Sequence, residues 1–228
     1  MKNVVITRAD ENIKEMTDIT LPIMRKYVES LGADFIILNH IPPFLTADNK
    51  PHYRILKVYD LFDEYDRILC LDADMIINKN CPNVFDEVPE DMIGVIFEDK
   101  GSRKSDRIMR INNVQLAWGD IGWKEGYTNA GTLVLSKQHK NVFLPHNDKY
   151  WLDEGSGDIH ICYNIHKYGF KIHELSYKWN HMTMFSESWL NANRFESYII
   201  HYAGRGIFDL DVTSRVEQIK RDYNTIYG

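Results

Sequence analysis

Asp72 and Asp74 stand one residue apart in "RILCLDADMII", at the end of an apolar run that reads as a buried strand. Burying an ionised carboxylate is costly unless a partner compensates it. Two together are therefore ion-paired, protonated or gathered around a cation. Carboxylate pairs at a strand end suit a hard divalent ion, magnesium or manganese, that also grips phosphate oxygens. The competing readings are an ion pair with Arg67 or Lys79, or a helix cap. A second Asp-x-Asp, Asp209-Leu210-Asp211, lacks the apolar run and reads as a solvated turn before the last helix.

Two other groupings have chemical potential. The stretch "EDKGSRKSDRIMR" packs Lys100, Arg103, Lys104, Arg107 and Arg110 around a glycine. It suits a flap closing on a diphosphate, but a charge run is ordinarily a solvated loop or helix face, and that is the expectation. Trp118, Trp123, Trp151, Trp179 and Trp189 offer faces for sugar rings, although large aromatics more often fill cores.

The elements that must position Asp72 and Asp74 follow from hydrophobic periodicity. "NVVITR" reads as a strand, followed by a helix with Asp10 as N-cap, ending at Gly32 and broken or kinked near Leu21 by Pro22. "DFIIL" is the next strand and "IPPF" punctuates the chain. Ile55, Val58, Tyr59 and Phe62 in "HYRILKVYDLFDEY" line one face of an amphipathic helix, and "RILCLD" is strand three. Apolar strands alternating with helices predict a parallel sheet covered on both faces, with ligands outside its carboxyl ends, where Asp72 and Asp74 lie. Further strands are expected in "MIGVIFE", "TNAGTLVLS", "FKIHEL" and "SYIIHYAG". Helices are expected through Ile159, Cys162, Tyr163 and His166, and through Val216, Ile219, Tyr223 and Ile226.

The 228 residues, with no repeat or convincing linker, predict one α/β domain. A net charge of -6 argues against a nucleic-acid binder. Three cysteines without Cys-x-x-Cys spacing fit a reducing compartment. The chain shows no secretion signal and no segment of the roughly 20 apolar residues that span a bilayer, so a cytoplasmic location is expected.

Several stretches, taken in order, carry a family resemblance. "YDRILCLDADMIINKNCPNVFD" resembles the Asp-x-Asp segment of GT-A-fold glycosyltransferases, most of all the glycogenin and galactosyltransferase-like retaining group. "TNAGTLVLS" resembles that group's Asn-(Ser/Ala)-Gly strand, "GDIHICYN" its acidic stretch ending in Asn, and "IIHYAG" its His-x-x-Gly. "RILKVYDLFDEYDR" resembles the Arg/Lys-bearing helix before the Asp pair. The resemblance implies a Rossmann-like, mostly parallel sheet flanked by helices. It also implies a single domain, with residues about 1–100 binding the nucleotide and about 101–228 the donor sugar and acceptor.

It implies roles as well. Asp72, Asp74 and His201 would bind manganese or magnesium on the pyrophosphate of a nucleotide-sugar, UDP-linked by family precedent, with a carbohydrate or glycoconjugate as acceptor. Thr7, Arg8, Ala9 and Ala73 would line the nucleotide pocket, and Arg54 or Lys57 would approach the sugar or phosphates. Asn129, Ala130 and Gly131 would face the donor sugar, Asp158 its hydroxyls, and Trp179 the donor pocket. For His201 the plainer alternative is a half-buried strand histidine bonded to a carbonyl. Two departures stand out. The family follows His-x-x-Gly with a diphosphate-binding Lys, where this chain has Gly204 followed by Arg205, which would supply that charge, and it has an Asp-Gln pair where Ile159 follows Asp158. Retention is expected by analogy; if the reaction inverts, Asp158 is the candidate base. Two rival readings are a HAD-type phosphatase, with Asp72 as nucleophile and Asp74 as acid, and a non-catalytic nucleotide-sugar-binding module.

Overall fold

Strands β1 (Asn3–Arg8) and β3 (Arg67–Asp72) bury their apolar middles completely. Successive strand residues point to opposite faces. Val5, Leu69 and Leu71 accordingly join one core, and Val4, Ile6, Ile68 and Cys70 the other. A strand apolar on both faces needs cover on both, and helices supply it. The computed structural model describes residues 1–40 and 51–228; the "IPPF" stretch lies outside the described residues.

With β2 (Asp34–Leu38), β5 (Ile93–Phe97), β6 (Thr128–Ser136) and β7 (Ile172–Glu174), these strands form a six-stranded sheet in the order β2-β1-β3-β6-β5-β7. Pairings β1–β2, β1–β3 and β5–β7 are parallel, whereas β6 is antiparallel to both its neighbours. The sheet is thus mostly parallel, with one reversed strand that the apolar pattern did not reveal. A second sheet pairs β4 (Met75–Ile77) antiparallel with β8 (Ile199–His201).

Register places the key residues. Arg8 lies opposite Asp72, and Met75 lies opposite His201. Leu71 pairs with Thr132, so reversal of β6 brings its first residues to the carboxyl end of β3. Had β6 run parallel, Asn129 and Gly131 would lie at the far end of the sheet.

Helix α1 (Lys14–Leu31) follows a short 3-10 turn whose N-cap is Asp10, and runs unbroken through Pro22. Pro22 removes one helical hydrogen bond, but the buried Thr20, Ile23, Met24 and Tyr27 on either side hold the helix to the core, and the expected break at Leu21 does not occur. Gly32 closes it in the left-handed conformation at φ 61°.

The expected amphipathic helix is a 3-10 segment, Pro51–Lys57, followed by one α-turn, α2 (Val58–Leu61). Ile55, Val58 and Phe62 are buried as expected, but so are Tyr53 and Arg54. Tyr53 donates to the Trp151 carbonyl and Arg54 pairs with Asp10, and the tighter winding serves both.

After α3 (Val84–Glu87), the basic stretch expected to be a solvated loop or helix face leads into α4 (Lys104–Trp118), packed against α5 (Ser156–Lys167) through Ile111, Val114, Ile159 and Cys162. The closing helix is α6 (Arg215–Tyr227). Asp209 is tied to Arg194 and Gln218 rather than solvated, while Asp211 pairs with Arg221 at the surface. All three cysteines are free. Among the described residues no helix is long and apolar enough to cross a membrane.

Candidate active site

β3 ends at Asp72, and the chain turns through Ala73, whose carbonyl accepts the Thr20 hydroxyl at 2.7 Å. Asp74 follows, and β8 delivers His201 alongside it. His201 Nε2 lies 3.5 Å from Asp72 Oδ2 and 3.2 Å from Asp74 Oδ1. The other oxygens are occupied: Arg8 holds Asp72 Oδ1, and Arg215 Nη1 donates to Asp74 Oδ2 at 2.9 Å. Each carboxylate therefore turns one oxygen to an arginine and the other to the histidine. Arg67 and Lys79, the partners considered from sequence, lie elsewhere. Arg67 donates to the Phe85 and Val88 carbonyls, and Lys79 sits over the Tyr227 ring.

Behind His201 runs a chain of directional bonds. Its Nδ1 is 2.7 Å from Asn180 Oδ1, while Asn180 Nδ2 donates to Asn129 Oδ1 at 2.9 Å. Asn129 Oδ1 also accepts from the Gly131 N–H, and its Nδ2 donates to Glu98 Oε2 at 3.2 Å. Asn180 Oδ1 is thus an acceptor, so His201 Nδ1 carries a proton and Nε2 is the nitrogen turned to the carboxylates, where a neutral ring offers a lone pair and a protonated ring an N–H. With the ring neutral, lone pairs from one imidazole and two carboxylates converge there, a set that a cation makes attractive. The three ligand atoms all lie within 4.8 Å of one another. Imidazole and carboxylate oxygen are donors suited to manganese or magnesium, and two carboxylates with one imidazole leave octahedral positions for other oxygens. The residues present fit such an ion.

Gly131 lies directly against this group. A Cβ there would stand 2.6 Å from His201 Cε1 and 3.0 Å from Asp72 Oδ2.

The group forms part of the wall of an open cleft of about 600 Å³. Five arginines (8, 103, 107, 110 and 215) and four carboxylates (72, 74, 98 and 158) face it. Arg215 opens α6 and also donates to the Gly204 carbonyl. Arg103 and Arg107 both hold the buried Glu98, Arg107 at 2.8 Å, and Arg107 lies over the Tyr127 ring. Burial pushes the Glu98 carboxyl up, but Arg107, Arg103 and Asn129 outweigh it and lower it below its ordinary value. Burial likewise raises Asp74, and a protonated His201 together with Arg215 more than reverses this. Asp158, in the first turn of α5, lacks such a partner: burial and then Glu98 push its carboxyl up to about 6, against Arg8, Arg107 and His201.

Of the residues singled out in the sequence, Arg8, Asp72, Asp74, Asn129, Asp158, His201 and Gly204 face the cleft together. Thr7, Ala9, Ala73 and Ala130 are buried and off its lining. Arg54 is paired with Asp10 and Lys57 lies 3.8 Å from Asp60; neither lines the cleft. Trp179 is 1% exposed and packs on Tyr198, so it has no free face, and its neighbour Asn180 supplies that segment's link to the site. Arg205 is exposed and off the lining; the guanidinium on Asp74 is that of Arg215. Trp123 is buried with Tyr127 and His166, and Trp151 packs on Trp118.

Glu98, Arg103, Arg107, Arg110, Tyr127, Asn180 and Arg215 were not singled out as site residues. For three of them a signal existed, since Arg103, Arg107 and Arg110 share one helix face by spacing. Lys104 is solvated as expected of this stretch, whereas Arg103, Arg107 and Arg110 form a wall of the cleft.

No family profile and no curated relative matches the chain. Solved structures do. A glycosyltransferase involved in glycosylation of the major capsid of PBCV-1 matches at TM-score 0.59, covering 97% of this chain and 98% of its own at 14% identity. The galactosyltransferase LgtC, solved with donor and acceptor sugar analogues, matches at 0.57, covering 99% and 96% at 13% identity. A Drosophila β-1,4-galactosyltransferase 7, solved with manganese, UDP-galactose and xylobiose, matches at 0.51, covering 90% and 71% at 12% identity. At such identities the likeness is one of architecture, and the architecture this chain carries is the GT-A fold of glycosyltransferases.

Proposed function

We propose that this chain is a divalent-metal-dependent glycosyltransferase, moving a sugar from a nucleotide-diphosphate donor, UDP-linked, to a carbohydrate or glycoconjugate acceptor. One observation carries the proposal: Asp72, Asp74 and His201 each turn one ligand atom to a common point on the wall of an arginine-rich cleft. The manganese and UDP-galactose named for the Drosophila structure support the choice of ion and nucleotide.

A bound divalent ion supplies Lewis-acid stabilisation of the charge that develops on the departing diphosphate. The chain's own residues do the rest. Asn180 fixes the His201 tautomer and ring orientation, leaving Nε2 available as a ligand. Arg8 and Arg215 flank the two aspartates, and their guanidinium forks suit the diphosphate oxygens. Thr7, Ala9 and Ala73 lie beneath the strand ends rather than on the cleft wall. Gly131 lets the ligand group sit close against β6. Asn129 and Asp158 hold the donor sugar, Asp158 by accepting from its hydroxyls when ionised. Retention fits a site in which the departing phosphate takes the acceptor proton.

The phosphatase alternative draws no support from this geometry, because Arg8 occupies one Asp72 oxygen and the other turns to His201. Incubation with UDP-sugars tests the proposal. Slow release of UDP in manganese, abolished by EDTA and reduced at least about tenfold in Asp158→Asn, is expected. Release of inorganic phosphate from a sugar phosphate without UDP formation would overturn it, as would nucleotide-sugar binding with no turnover under any acceptor tried.

A further inference from the structure

We infer that one substrate of this cleft carries a second anionic group, a carboxylate or a phosphate beyond the diphosphate, and that Arg103, Arg107 and Arg110 receive it. The inference rests on the glycosyltransferase proposal and concerns the same cleft. The basic residues of the cleft form two groupings. Arg8 and Arg215 stand beside Asp72 and Asp74, where the diphosphate is proposed to bind. The other three come from α4 and the turn before it, and line the wall shared with Glu98, Tyr127 and Asp158.

Three guanidinium groups there share two carboxylates. Glu98 takes Arg103 and Arg107, and Asp106 takes Arg107 and Arg110. Glu98 is a buried base, its side chain 3% accessible, while the arginines keep 20%, 15% and 23% of theirs. Each guanidinium offers five N–H donors, so donors remain for a ligand. A neutral sugar ring needs hydroxyl partners of the kind Asn129 and Asp158 already supply. Three forked cations in addition exceed that need and match the planar, bidentate recognition of carboxylate or phosphate. The anion belongs either to the transferred sugar, as in a uronic acid, or to the acceptor, as in a sugar phosphate.

Calorimetry in manganese separates these sources. One arm compares UDP-glucuronic acid with UDP-glucose; the other, at saturating UDP, compares glucose 6-phosphate with glucose. In one arm the anionic ligand is expected to bind at least about tenfold more tightly than its neutral counterpart, as for one charge-assisted pair. The Arg103→Gln/Arg110→Gln double variant, which leaves Arg107 on Glu98, should bring that ratio within about threefold. The wild-type comparison is decisive without the variant, should the latter fold poorly. Ratios within about threefold in both arms, while UDP binds with manganese, would overturn the inference and leave the glycosyltransferase proposal standing. A preference that survives in the double variant would overturn the assignment to these arginines. Failure of UDP itself to bind with manganese would remove the proposal beneath both.

Discussion

A methyl group on Gly131 would meet His201 Cε1 and Asn129 Oδ1 at 2.6 Å and Asp72 Oδ2 at 3.0 Å, closer than nonbonded atoms normally approach. The backbone there is rigid β6, so the side chains must give way, and they include two proposed ligands. Gly131→Ala is therefore expected to weaken manganese-dependent UDP binding by at least about tenfold, at a cost of about 1–3 kcal/mol in stability; unchanged affinity by calorimetry would contradict this. Asp158 makes a pH prediction. With its carboxyl raised to about 6, against about 3.9 in an unfolded chain, the folded state binds the extra proton between those values. The stability this supplies is present below about pH 4, is lost as pH rises to about 6, and stays lost above. Asp158→Asn should therefore be more stable than wild type at pH 7 by about 1–3 kcal/mol, and equal to it near pH 4. Denaturant titrations at the two pH values check this, and a pH-independent difference would contradict it. Asp72, Asp74, Asn129, Asp158 and His201 were legible in the sequence by type and order. Arg215 was not, because it meets Asp74 across 141 residues of chain and no local pattern announces such a contact.

Helix α6 presents Arg215 to the site, and the helix is anchored by a buried polar cluster. Asp222, wholly buried, accepts from Arg194 Nε and Nη2, the Tyr202 hydroxyl and Gln218 Nε2 at 2.8 to 3.0 Å. Tyr202 directly follows His201, so this cluster joins α6 to β8. Asp222→Ala leaves the Arg194 guanidinium and the Tyr202 hydroxyl without that partner and should cost about 3–5 kcal/mol. Urea denaturation measures it, and a loss below about 1 kcal/mol would show the cluster to be dispensable. At this scale the sequence was legible in part. Apolar runs marked the strands except β4, and Asp10 and Gly32 marked where the first helical segment starts and stops. Strand direction was not encoded in those runs, so the reversal of β6 appeared only in the structure. Nor did the period of Ile55, Val58, Tyr59 and Phe62 reveal the 3-10 winding before α2, which follows from the distant partners of Tyr53 and Arg54.

Across the whole molecule, a net charge of -6 coexists with a cleft faced by five arginines. Bulk charge therefore bears on what the outer surface repels and says little about the cleft. The cleft exists because two sheets meet: the large one ends at Asp72, and the small one, built from segments far apart in the chain, carries His201 to Asp74. Both sheets must form for the three proposed ligands to converge. UDP binding measured by calorimetry in manganese and in EDTA, for wild type, Asp74→Ala and His201→Ala, tests that convergence most directly. Binding that requires manganese and falls at least about tenfold in each variant is the predicted result. UDP that binds equally well in EDTA, or equally well to both variants, would contradict the metal–diphosphate site.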